Sequence, residues 1–323
     1  MDNIEKCIIC GSKNHQDLFS AIDREFLSKD IFRIRECKNC KLKWTNPQPT
    51  MEYLQDKAYP ENYEPYLIKT DKSGSLKENL KKTFMFKIFS RYLDSKSTWI
   101  PVLPKGSKVL ELGCSNGKFL NSLKKYDWEL YGVDIAEKPI QFAKDYFGLS
   151  NVYCSSLPEM KFPDNYFDFI YGWNVIEHFQ YPKSVINEVN RILKPGGYLA
   201  LSSPNADSLE FLLFKEYYRY LEVPRHLFHF SPKTLSQLCS NLGFKTRRII
   251  FHRTATDAVG SVGLLLRDKY NIKNKIVNYI FRFSSRPNRI LQAFLKPYGY
   301  IAAFFKFSCR ITIVAEKKSN TWI

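Results

Sequence analysis

Residues 108–203 alternate short apolar stretches with stretches of helical periodicity. Alternation of this kind is typical of a parallel sheet whose strands are joined by helices that cover both faces. We therefore predict an α/β fold with a Rossmann-like, doubly wound and mostly parallel sheet. The expected strands lie at about 108–113, 129–134, 151–154, 167–172 and 197–203, and the expected helices lie near 117–125, 138–147 and 182–193.

The C-terminal third of the chain is predicted to complete this sheet. Ser231 followed by a proline predicts the start of a helix, because serine caps helices and proline is tolerated at the first helical position. Strands are expected at 245–251 and 310–315. Between them, a basic and aromatic insertion at 256–305 is predicted to be helical. It either packs on the sheet domain as a lid or lies on an anionic bilayer as an amphipathic surface.

Four cysteines near the N-terminus form two pairs with the same spacing. Cys7 and Cys10 make the first pair, and Cys37 and Cys40 make the second. Two such units can supply four thiolates in a tetrahedron around Zn²⁺, which is a closed structural site. An iron–sulfur cluster is disfavoured because no third closely spaced cysteine extends either pair. We therefore predict a structural zinc site in a small zinc-ribbon-like module.

The patterning divides the 323 residues into five parts. A chain of this length can hold one large domain and a small additional module. Apolar residues at helical spacing, such as Leu76, Leu80 and Phe84, predict a helical connector after the cysteine module. The expected divisions are residues 1–60 for the zinc-binding module, 61–105 for the connector, 106–255 for the α/β domain, 256–305 for the insertion and 306–323 for the final strand and tail.

A glycine-rich turn follows the first predicted strand of the α/β domain. In open α/β sheets, ligands bind where this turn joins strand to helix. Gly113 permits a sharp turn, and Gly117 lets the backbone approach a ligand closely. A dinucleotide fingerprint would need further glycines at the positions of Ser115 and Lys118, so nicotinamide binding is disfavoured. Asp134 ends the second strand, where its carboxylate can accept hydrogen bonds from both hydroxyls of a ribose or can cap the next helix.

Six segments of the chain together carry a family likeness. They are residues 109–117, 132–134, 162–168, 174–178, 191–197 and 203–205. These segments resemble the class I S-adenosylmethionine-dependent methyltransferases, in the branch related to ubiquinone-type O-methyltransferases. The resemblance covers roughly residues 105–255 and the closing strand at 310–316. The cysteine module, through Cys37–Trp44 and 46–50, resembles the zinc-binding N-terminal domain of some sugar C-methyltransferases.

The resemblance implies S-adenosylmethionine as the cofactor and assigns its contacts residue by residue. The methionine part would contact Glu111, Gly113, Ser115 and Gly117, the ribose would contact Asp134, the adenine would contact Ser155, Ser156 and Leu157, and Ile135 and Asn174 would be further cofactor contacts. Many relatives have an aspartate at the adenine edge, where this chain has serines. Ser115 replaces a glycine common in the family, and we expect it to be tolerated with a negative φ.

Three histidines and an arginine are candidates for the acceptor side of the site. A hydroxyl acceptor must lose its proton, and an imidazole near neutrality suits that task. His178 follows the fourth strand and is the preferred general base, although it could instead cap or pack the following helix. His226 and His229 lie in a loop that resembles the acceptor-covering segment of the family, and either could replace His178. Arg225 could bind an anionic substrate group, or the loop could only pack.

Charge and apolar content bear on the partner and on the location of the protein. The net charge is +17, and residues 245–318 hold 16 Lys and Arg against three acidic residues. This asymmetry favours an anionic partner such as a phospholipid surface, a phosphorylated substrate or a nucleic acid. No stretch reaches the roughly 18 apolar residues of a membrane-spanning helix. We expect a cytoplasmic protein with peripheral contact to the inner membrane face.

The acceptor that we predict from the sequence is a small or lipid-linked molecule. A sugar of surface polysaccharide biosynthesis and an isoprenoid-like lipid are the two favoured classes, by family analogy and from the basic, apolar insertion. A second hypothesis makes RNA the substrate, with affinity that falls steeply with salt, but no RNA-binding signature accompanies the charges. A third hypothesis is a non-catalytic membrane-surface protein that keeps the fold with an altered glycine motif.

Overall fold

The computed structural model describes residues 1–26, 29–54, 99–283 and 289–319, and these residues form two sheets. The strands are β1 (His15–Ile22), β2 (Ile31–Cys37), β3 (Lys43–Asn46), β4 (Lys108–Leu112), β5 (Glu129–Asp134), β6 (Val152–Cys154), β7 (Phe167–Trp173), β8 (Leu193–Pro204), β9 (Phe228–His229), β10 (Phe244–Phe251) and β11 (Arg310–Lys317). The helices are α1 (Met51–Tyr53), α2 (Lys118–Ser122), α3 (Glu137–Phe147), α4 (Pro182–Ile192), α5 (Leu209–Phe214), α6 (Pro232–Asn241), α7 (Thr256–Leu264), α8 (Lys275–Arg282) and α9 (Arg289–Phe304).

The larger sheet has seven strands in the order β10-β11-β8-β7-β4-β5-β6. Strands β6, β5, β4, β7 and β8 run parallel, and β11 runs antiparallel to both of its neighbours. The central strands are almost continuously apolar because helices cover both faces of the sheet. This architecture confirms the predicted Rossmann-like, doubly wound and mostly parallel sheet, and its strands and helices lie close to the predicted positions.

One edge of this sheet collects the loops that matter for a ligand. The parallel strands β4, β5, β7 and β8 all end at this edge. Because β11 is antiparallel, it begins there, with Arg310 paired to Pro204. Strand β10 ends at the same edge, with Phe251 paired to Ile311. The helical insertion between β10 and β11 is therefore rooted at the edge where the parallel strands end.

The insertion is helical, as predicted, and its first two helices pack closely. Helix α7 continues into a π-helical turn at Leu265–Lys269 before α8 begins. A Cβ atom at Gly263 would lie only 2.3 Å from the backbone nitrogen of Phe281, so only glycine allows this contact between α7 and α8. Within the described part of the chain, no helix combines the length and apolarity needed to cross a membrane.

The smaller sheet joins the N-terminal module to the α/β domain. Its order is β1-β2-β3-β9, and all pairs are antiparallel. Strand β9 belongs to the segment between α5 and α6, so the module's sheet is completed by residues about 180 positions later in the chain. Trp44 is 1% exposed and shares one buried cluster with Leu227 and Leu110. Most of the predicted connector at 61–105 lies outside the described residues.

Helix α6 begins as its sequence predicts. The Ser231 hydroxyl accepts a hydrogen bond from the backbone N–H of Thr234 at 3.2 Å, and the Thr234 hydroxyl accepts one from the Ser231 N–H at 2.8 Å. This reciprocal pair satisfies two N–H groups that a helix start leaves unpaired. The capped helix fixes the C-terminal end of the loop that carries the candidate histidines.

Candidate active site

The turn after β4 requires glycine at two positions. Gly113 has a φ of +66°, and a Cβ there would lie 2.7 Å from Cγ2 of Val175. Gly117 has a φ of +69°, and a Cβ there would lie 2.6 Å from Cδ1 of Leu149. Side chains rarely adopt such φ values, and the neighbouring atoms leave no room for one. Backbone conformation and packing against the protein's own side chains therefore require both glycines, and the close approach of a ligand to this turn stays a prediction.

Ser115 differs from the expectation of a negative φ, because its φ is +45°. This left-handed conformation costs free energy for any residue with a side chain. The backbone N–H of Ser115 donates a hydrogen bond to Oδ2 of Asp134 at 2.8 Å. The turn after β4 is therefore fastened to the end of β5 despite the strain.

Asp134 lies between two elements of the candidate cofactor site. Its Oδ1 accepts a hydrogen bond from the backbone N–H of Ala136 at 2.9 Å, at the start of α3, while Oδ2 binds the N–H of Ser115. Burial raises the pKa of this carboxyl group, and the backbone N–H groups oppose that shift. The backbone N–H of Ile135 is a third donor to this carboxylate. In the described part of the chain, no side-chain hydrogen bond caps α3, so the alternative role of Asp134 as a helix cap is not seen, and its contact with a ribose stays a prediction.

Glu111 lies on β4, beneath the glycine turn. It is 4% exposed, and its Oε2 has no hydrogen-bond partner in the described residues. Burial raises the pKa of this carboxyl group well above its usual value. The Tyr171 hydroxyl and the Leu120 backbone oppose this rise in pKa, so the carboxyl group has polar neighbours. Its Oε2 can still take a further donor or a cation. The ammonium group of a methionine moiety is a group of that kind.

The segment that is predicted to frame the adenine contains an acidic residue, Glu159, that the sequence analysis did not name. Oε2 of Glu159 accepts hydrogen bonds from the Ser155 hydroxyl at 3.2 Å and from the Ser156 N–H at 3.1 Å. These bonds lower the pKa of Glu159. Leu157 is buried, whereas Ile135 is half exposed at the start of the neighbouring loop. An acidic residue three positions after Ser156 was the available signal, because the expected aspartate was sought at the serines themselves.

Asn174 directly follows β7, at the edge of the sheet where the parallel strands end. Its φ is +51°, a value that asparagine tolerates better than most residues. Its backbone N–H donates a hydrogen bond to the carbonyl oxygen of Ser202 at 3.1 Å. The residue is half-buried at the edge where β4, β7 and β8 end. The structure therefore places Asn174 at the predicted edge, and its contact with a cofactor stays a prediction.

His178 ends a short 3-10 turn that follows β7. Its Nδ1 lies 3.1 Å from the carbonyl oxygen of Arg225. Since a carbonyl only accepts, Nδ1 is the nitrogen that carries the proton. Burial and the positive charge of Arg225 lower the pKa of His178 to about 4. At neutral pH this imidazole is neutral and can accept a proton.

The structure brings His226, but not His229, beside His178. The rings of His178 and His226 meet edge to face with centroids 4.6 Å apart. Nδ1 of His226 lies 2.9 Å from the carbonyl oxygen of Tyr220, and burial lowers its pKa well below the usual value. His229 instead lies in β9, with Nε2 3.1 Å from the Thr45 hydroxyl. Burial and Lys43 lower the pKa of His229 to about 3.

Glu177 joins the two histidines in a buried cluster that the sequence analysis did not identify. It is 1% exposed, and burial raises its pKa to about 8. One ligand atom each of Glu177, His178 and His226 lie within 4.8 Å of one another. Such a group can store a proton or hold a divalent cation. No spacing rule marks it, because His226 comes from a loop 48 residues after His178.

Arg225 lies in the interior rather than at an open surface. Its guanidinium donates hydrogen bonds to both oxygens of Asp23, at 2.7 and 3.1 Å, and both side chains are 1% exposed. Its cationic group also lies 5.0 Å from the ring centre of Phe26. This position favours a structural role for Arg225, which joins the histidine loop (residues 224–230) to the N-terminal module. The predicted contact of Arg225 with a substrate stays a prediction.

The four N-terminal cysteines converge as the zinc hypothesis requires. Sγ of Cys7 lies 3.4 Å from Sγ of Cys40, and Sγ of Cys10 lies 3.5 Å from Sγ of Cys37. All four sulfur atoms lie within 4.8 Å of one another. A tetrahedral zinc site with Zn–S bonds of about 2.3 Å places its sulfurs about 3.8 Å apart. The described geometry therefore fits Zn²⁺.

The two cysteine pairs have the same backbone turn. The N–H of Gly11 bonds to the carbonyl of Cys7, and the N–H of Lys41 bonds to the carbonyl of Cys37, both at 2.9 Å. Gly11 and Lys41 have φ values of +71° and +70°. Two matched turns, one on each side of the sulfur cluster, are the arrangement expected of paired zinc-binding knuckles.

The seven-stranded sheet and the glycine turn define the class I methyltransferase fold. The sequence model of the methyltransferase domain matches residues 81–249, slightly more than half of the chain. The chain therefore belongs to this family of methyltransferase domains.

Curated relatives are similar over part of their length. Ubiquinone biosynthesis O-methyltransferase of Coxiella burnetii is 29% identical over 133 residues, which are 40% of this chain and 54% of the relative. The protein of that name in Aliivibrio fischeri is 27% identical over 184 residues, 54% of this chain and 76% of the relative. The chain thus spans about half the length of the Coxiella relative that it matches.

Solved structures are similar at low sequence identity. A SAM-dependent methyltransferase from Archaeoglobus fulgidus is 24% identical, with a TM-score of 0.43, over 75% of this chain and 98% of that chain. An S-adenosylmethionine-dependent methyltransferase from Mesorhizobium loti is 14% identical, with a TM-score of 0.45, over 74% of this chain and 100% of that chain.

Proposed function

We propose that the protein transfers a methyl group from S-adenosylmethionine to a hydroxyl group of a small or lipid-linked acceptor. The observation that carries this proposal is the fastening of Asp134 to the glycine turn at the end of β4. That contact sets a carboxylate beside bare backbone, as recognition of a ribose and a charged sulfur requires. The buried, unpartnered Oε2 of Glu111 suits the ammonium group of the methionine moiety.

The cofactor supplies an electrophilic methyl group on a positively charged sulfur. The chain's own residues then have two tasks, which are to hold the reactants in line and to take the acceptor's proton. His178 suits the second task because its imidazole is neutral at neutral pH and its Nδ1 proton is directed at the Arg225 carbonyl, so Nε2 is the nitrogen that would take the acceptor's proton. Glu177 lies beside it and can accept a hydrogen bond from the protonated ring.

A lipid-linked acceptor is supported by two independent observations. The curated relatives carry the name ubiquinone biosynthesis O-methyltransferase, and a ubiquinone precursor has a hydroxylated ring on an isoprenoid chain. The apolar and basic insertion is rooted at the edge that carries the candidate site. A sugar of surface polysaccharide biosynthesis is the second acceptor class, supported by the resemblance of the cysteine module to that of sugar methyltransferases.

The acceptor class can be tested with cofactor that carries a tritiated methyl group. The purified protein is incubated with a membrane lipid extract, with a nucleotide-sugar fraction and with total RNA in parallel. We expect label in the organic phase of the lipid reaction. Label in the nucleotide-sugar fraction would replace the lipid acceptor with the sugar, and label in RNA alone would contradict both classes.

We also propose that Cys7, Cys10, Cys37 and Cys40 hold a structural Zn²⁺. The support is the convergence of the four sulfurs on two matched turns. Elemental analysis of the purified protein should give one zinc per chain. The variant Cys37→Ser should lose the metal, whereas Cys154→Ser should keep it, because the exposed Cys154 lies in β6 of the seven-stranded sheet and is not one of the four converging cysteines. Less than half an equivalent of zinc in the unsubstituted protein would contradict the proposal.

A further inference from the structure

Helix α9 turns its apolar side chains outward. Phe294, Ile301 and Phe304 lie on one face of α9 and Phe305 directly follows the helix, and the four side chains are 77%, 58%, 80% and 59% exposed. The opposite face is buried and includes Lys296, which is 6% exposed. A surface helix of a soluble domain normally buries its apolar stripe and exposes its charges. Here the arrangement is reversed, so this face is suited to an apolar environment.

Helix α5 extends this surface. The N–H of Leu209 donates a hydrogen bond to the carbonyl of Phe307 at 3.3 Å, and the Tyr298 hydroxyl donates one to Glu210 at 2.7 Å. These contacts hold α5 beside the end of α9. Leu212 and Leu213 of α5 are 55% and 67% exposed. We call the six exposed side chains the apolar patch; they are Leu212, Leu213, Phe294, Ile301, Phe304 and Phe305.

Two exposed lysines follow the helices that form the apolar patch. Lys215 follows α5 directly, and Lys306 lies two residues after the end of α9; Glu216, next to Lys215, is half-buried. In the described residues, neither lysine forms a salt bridge. Residues 245–318 as a whole contain 16 basic against three acidic residues. An apolar face bordered by lysines is complementary to an anionic lipid surface, which offers both an acyl region and negative headgroups.

The patch lies at the catalytic edge of the sheet. Helix α5 follows the end of β8, and α9 leads into the start of β11, where Arg310 pairs with Pro204. Asn174 binds Ser202 of β8 at the same edge. A surface that held this edge against a bilayer would bring an acceptor with an apolar chain to the candidate site without transfer through water.

We propose that the apolar patch inserts into the interface of an anionic phospholipid bilayer and holds the catalytic edge at the lipid surface. The inference goes beyond methyl transfer, because it concerns where the protein works rather than what it transfers. Interfacial insertion of exposed aromatic and aliphatic side chains, strengthened by neighbouring lysines, needs no membrane-spanning helix.

The test is co-sedimentation with vesicles of mixed phosphatidylglycerol and phosphatidylcholine, without cofactor or acceptor. The unsubstituted protein should bind these vesicles and should not bind phosphatidylcholine alone. The double variant Phe304→Ser/Phe305→Ser should bind at least about tenfold more weakly. The matched control Val102→Ser/Tyr146→Ser removes two exposed apolar side chains at the opposite edge and should bind like the unsubstituted protein.

Further variants and a measurement of folding distinguish the loss of a membrane contact from misfolding. Leu212→Ser/Leu213→Ser on α5 should weaken binding in the same direction, and circular dichroism should show each variant folded. Lys215→Gln and Lys306→Gln should each weaken binding roughly fivefold, and added salt should reduce their effect.

Absence of binding to anionic vesicles, or equal binding by the patch variants and the control, would overturn the proposal. A dimer in light scattering that Phe304→Ser/Phe305→Ser disperses would assign the patch to a second copy of the chain instead. Because the assay contains no cofactor, its failure says nothing about cofactor binding, so the two proposals can fail separately.

Discussion

The cofactor turn and the histidine loop are held in place by different kinds of contact. The turn after β4 is fastened within one strand–helix–strand unit, where Ser115 and Asp134 are 19 residues apart. The histidine loop is held by the N-terminal module, through Asp23 and Arg225, which are 202 residues apart, and through Thr45. The proposed cofactor site therefore depends on local geometry, whereas the proposed acceptor side of the site depends on the N-terminal module.

The largest effect on activity is expected from substitution of His178. Replacing it with glutamine removes the proposed general base, so the rate of the chemical step should fall by about 10²- to 10⁴-fold. Affinity for the cofactor should stay within a factor of two, since the local turn is untouched. His252→Gln is the matched control, because His252 is also buried but bonds to Thr312 on β11. Single-turnover kinetics would contradict the role if His178→Gln lost less than about tenfold.

A large effect on stability is expected at the buried ion pair between Asp23 and Arg225. Asp23→Asn removes the carboxylate that accepts two hydrogen bonds from the buried guanidinium and leaves the more distant Glu222, 3.9 Å from Nε, which should cost about 3 kcal/mol in the free energy of unfolding. Urea denaturation measures this loss. The double variant Asp23→Leu/Arg225→Met should recover part of it, because it removes both charges. Equal stability of Asp23→Asn and the unsubstituted protein would show that the module does not brace the loop.

These two predictions concern contacts that could not be found from the sequence. His178 and His226 meet because a loop near residue 226 is pinned to β3, and no periodicity encodes that pairing. Arg225 was interpreted as a substrate ligand because its partner, Asp23, lies at the other end of the chain. The glycine turn and Asp134 were predictable because the chemistry of a strand end is set by its immediate neighbours. Even there the φ of Ser115 was wrong, since tertiary contacts override the preference of serine.

A smaller effect is expected on the pH dependence of the free energy of unfolding, through the titration of His229. Its folded pKa of about 3 is below the unfolded value near 6.5, so the unfolded chain binds an extra proton at lower pH. Stability from this group is full above pH 6.5 and falls as the pH drops, by about 1.4 kcal/mol per pH unit. Between pH 6.5 and 5, the unsubstituted protein should therefore lose about 2 kcal/mol more than His229→Gln. Parallel stability curves for the two proteins would contradict the assignment.

The smallest effect is expected from Ser115. Its left-handed backbone costs more for serine than for glycine, so Ser115→Gly should raise the free energy of unfolding by about 1 kcal/mol. Ser122→Gly, at the last residue of α2, is the contrasting control and should be destabilising by up to about 1 kcal/mol. Thermal unfolding of the two variants gives the comparison. A loss of stability in Ser115→Gly would mean that the serine side chain makes a contact worth more than the strain.

The most direct test of the account is calorimetric titration of the protein with S-adenosylhomocysteine, the product form of the cofactor. The unsubstituted protein should bind one molecule per chain. Asp134→Asn should bind roughly 10- to 150-fold more weakly, because it loses hydrogen bonds to a charged acceptor. Asp145→Asn, an exposed carboxylate on α3, should bind unchanged. No binding by the unsubstituted protein, or equal binding by the Asp134 variant, would contradict the proposed site.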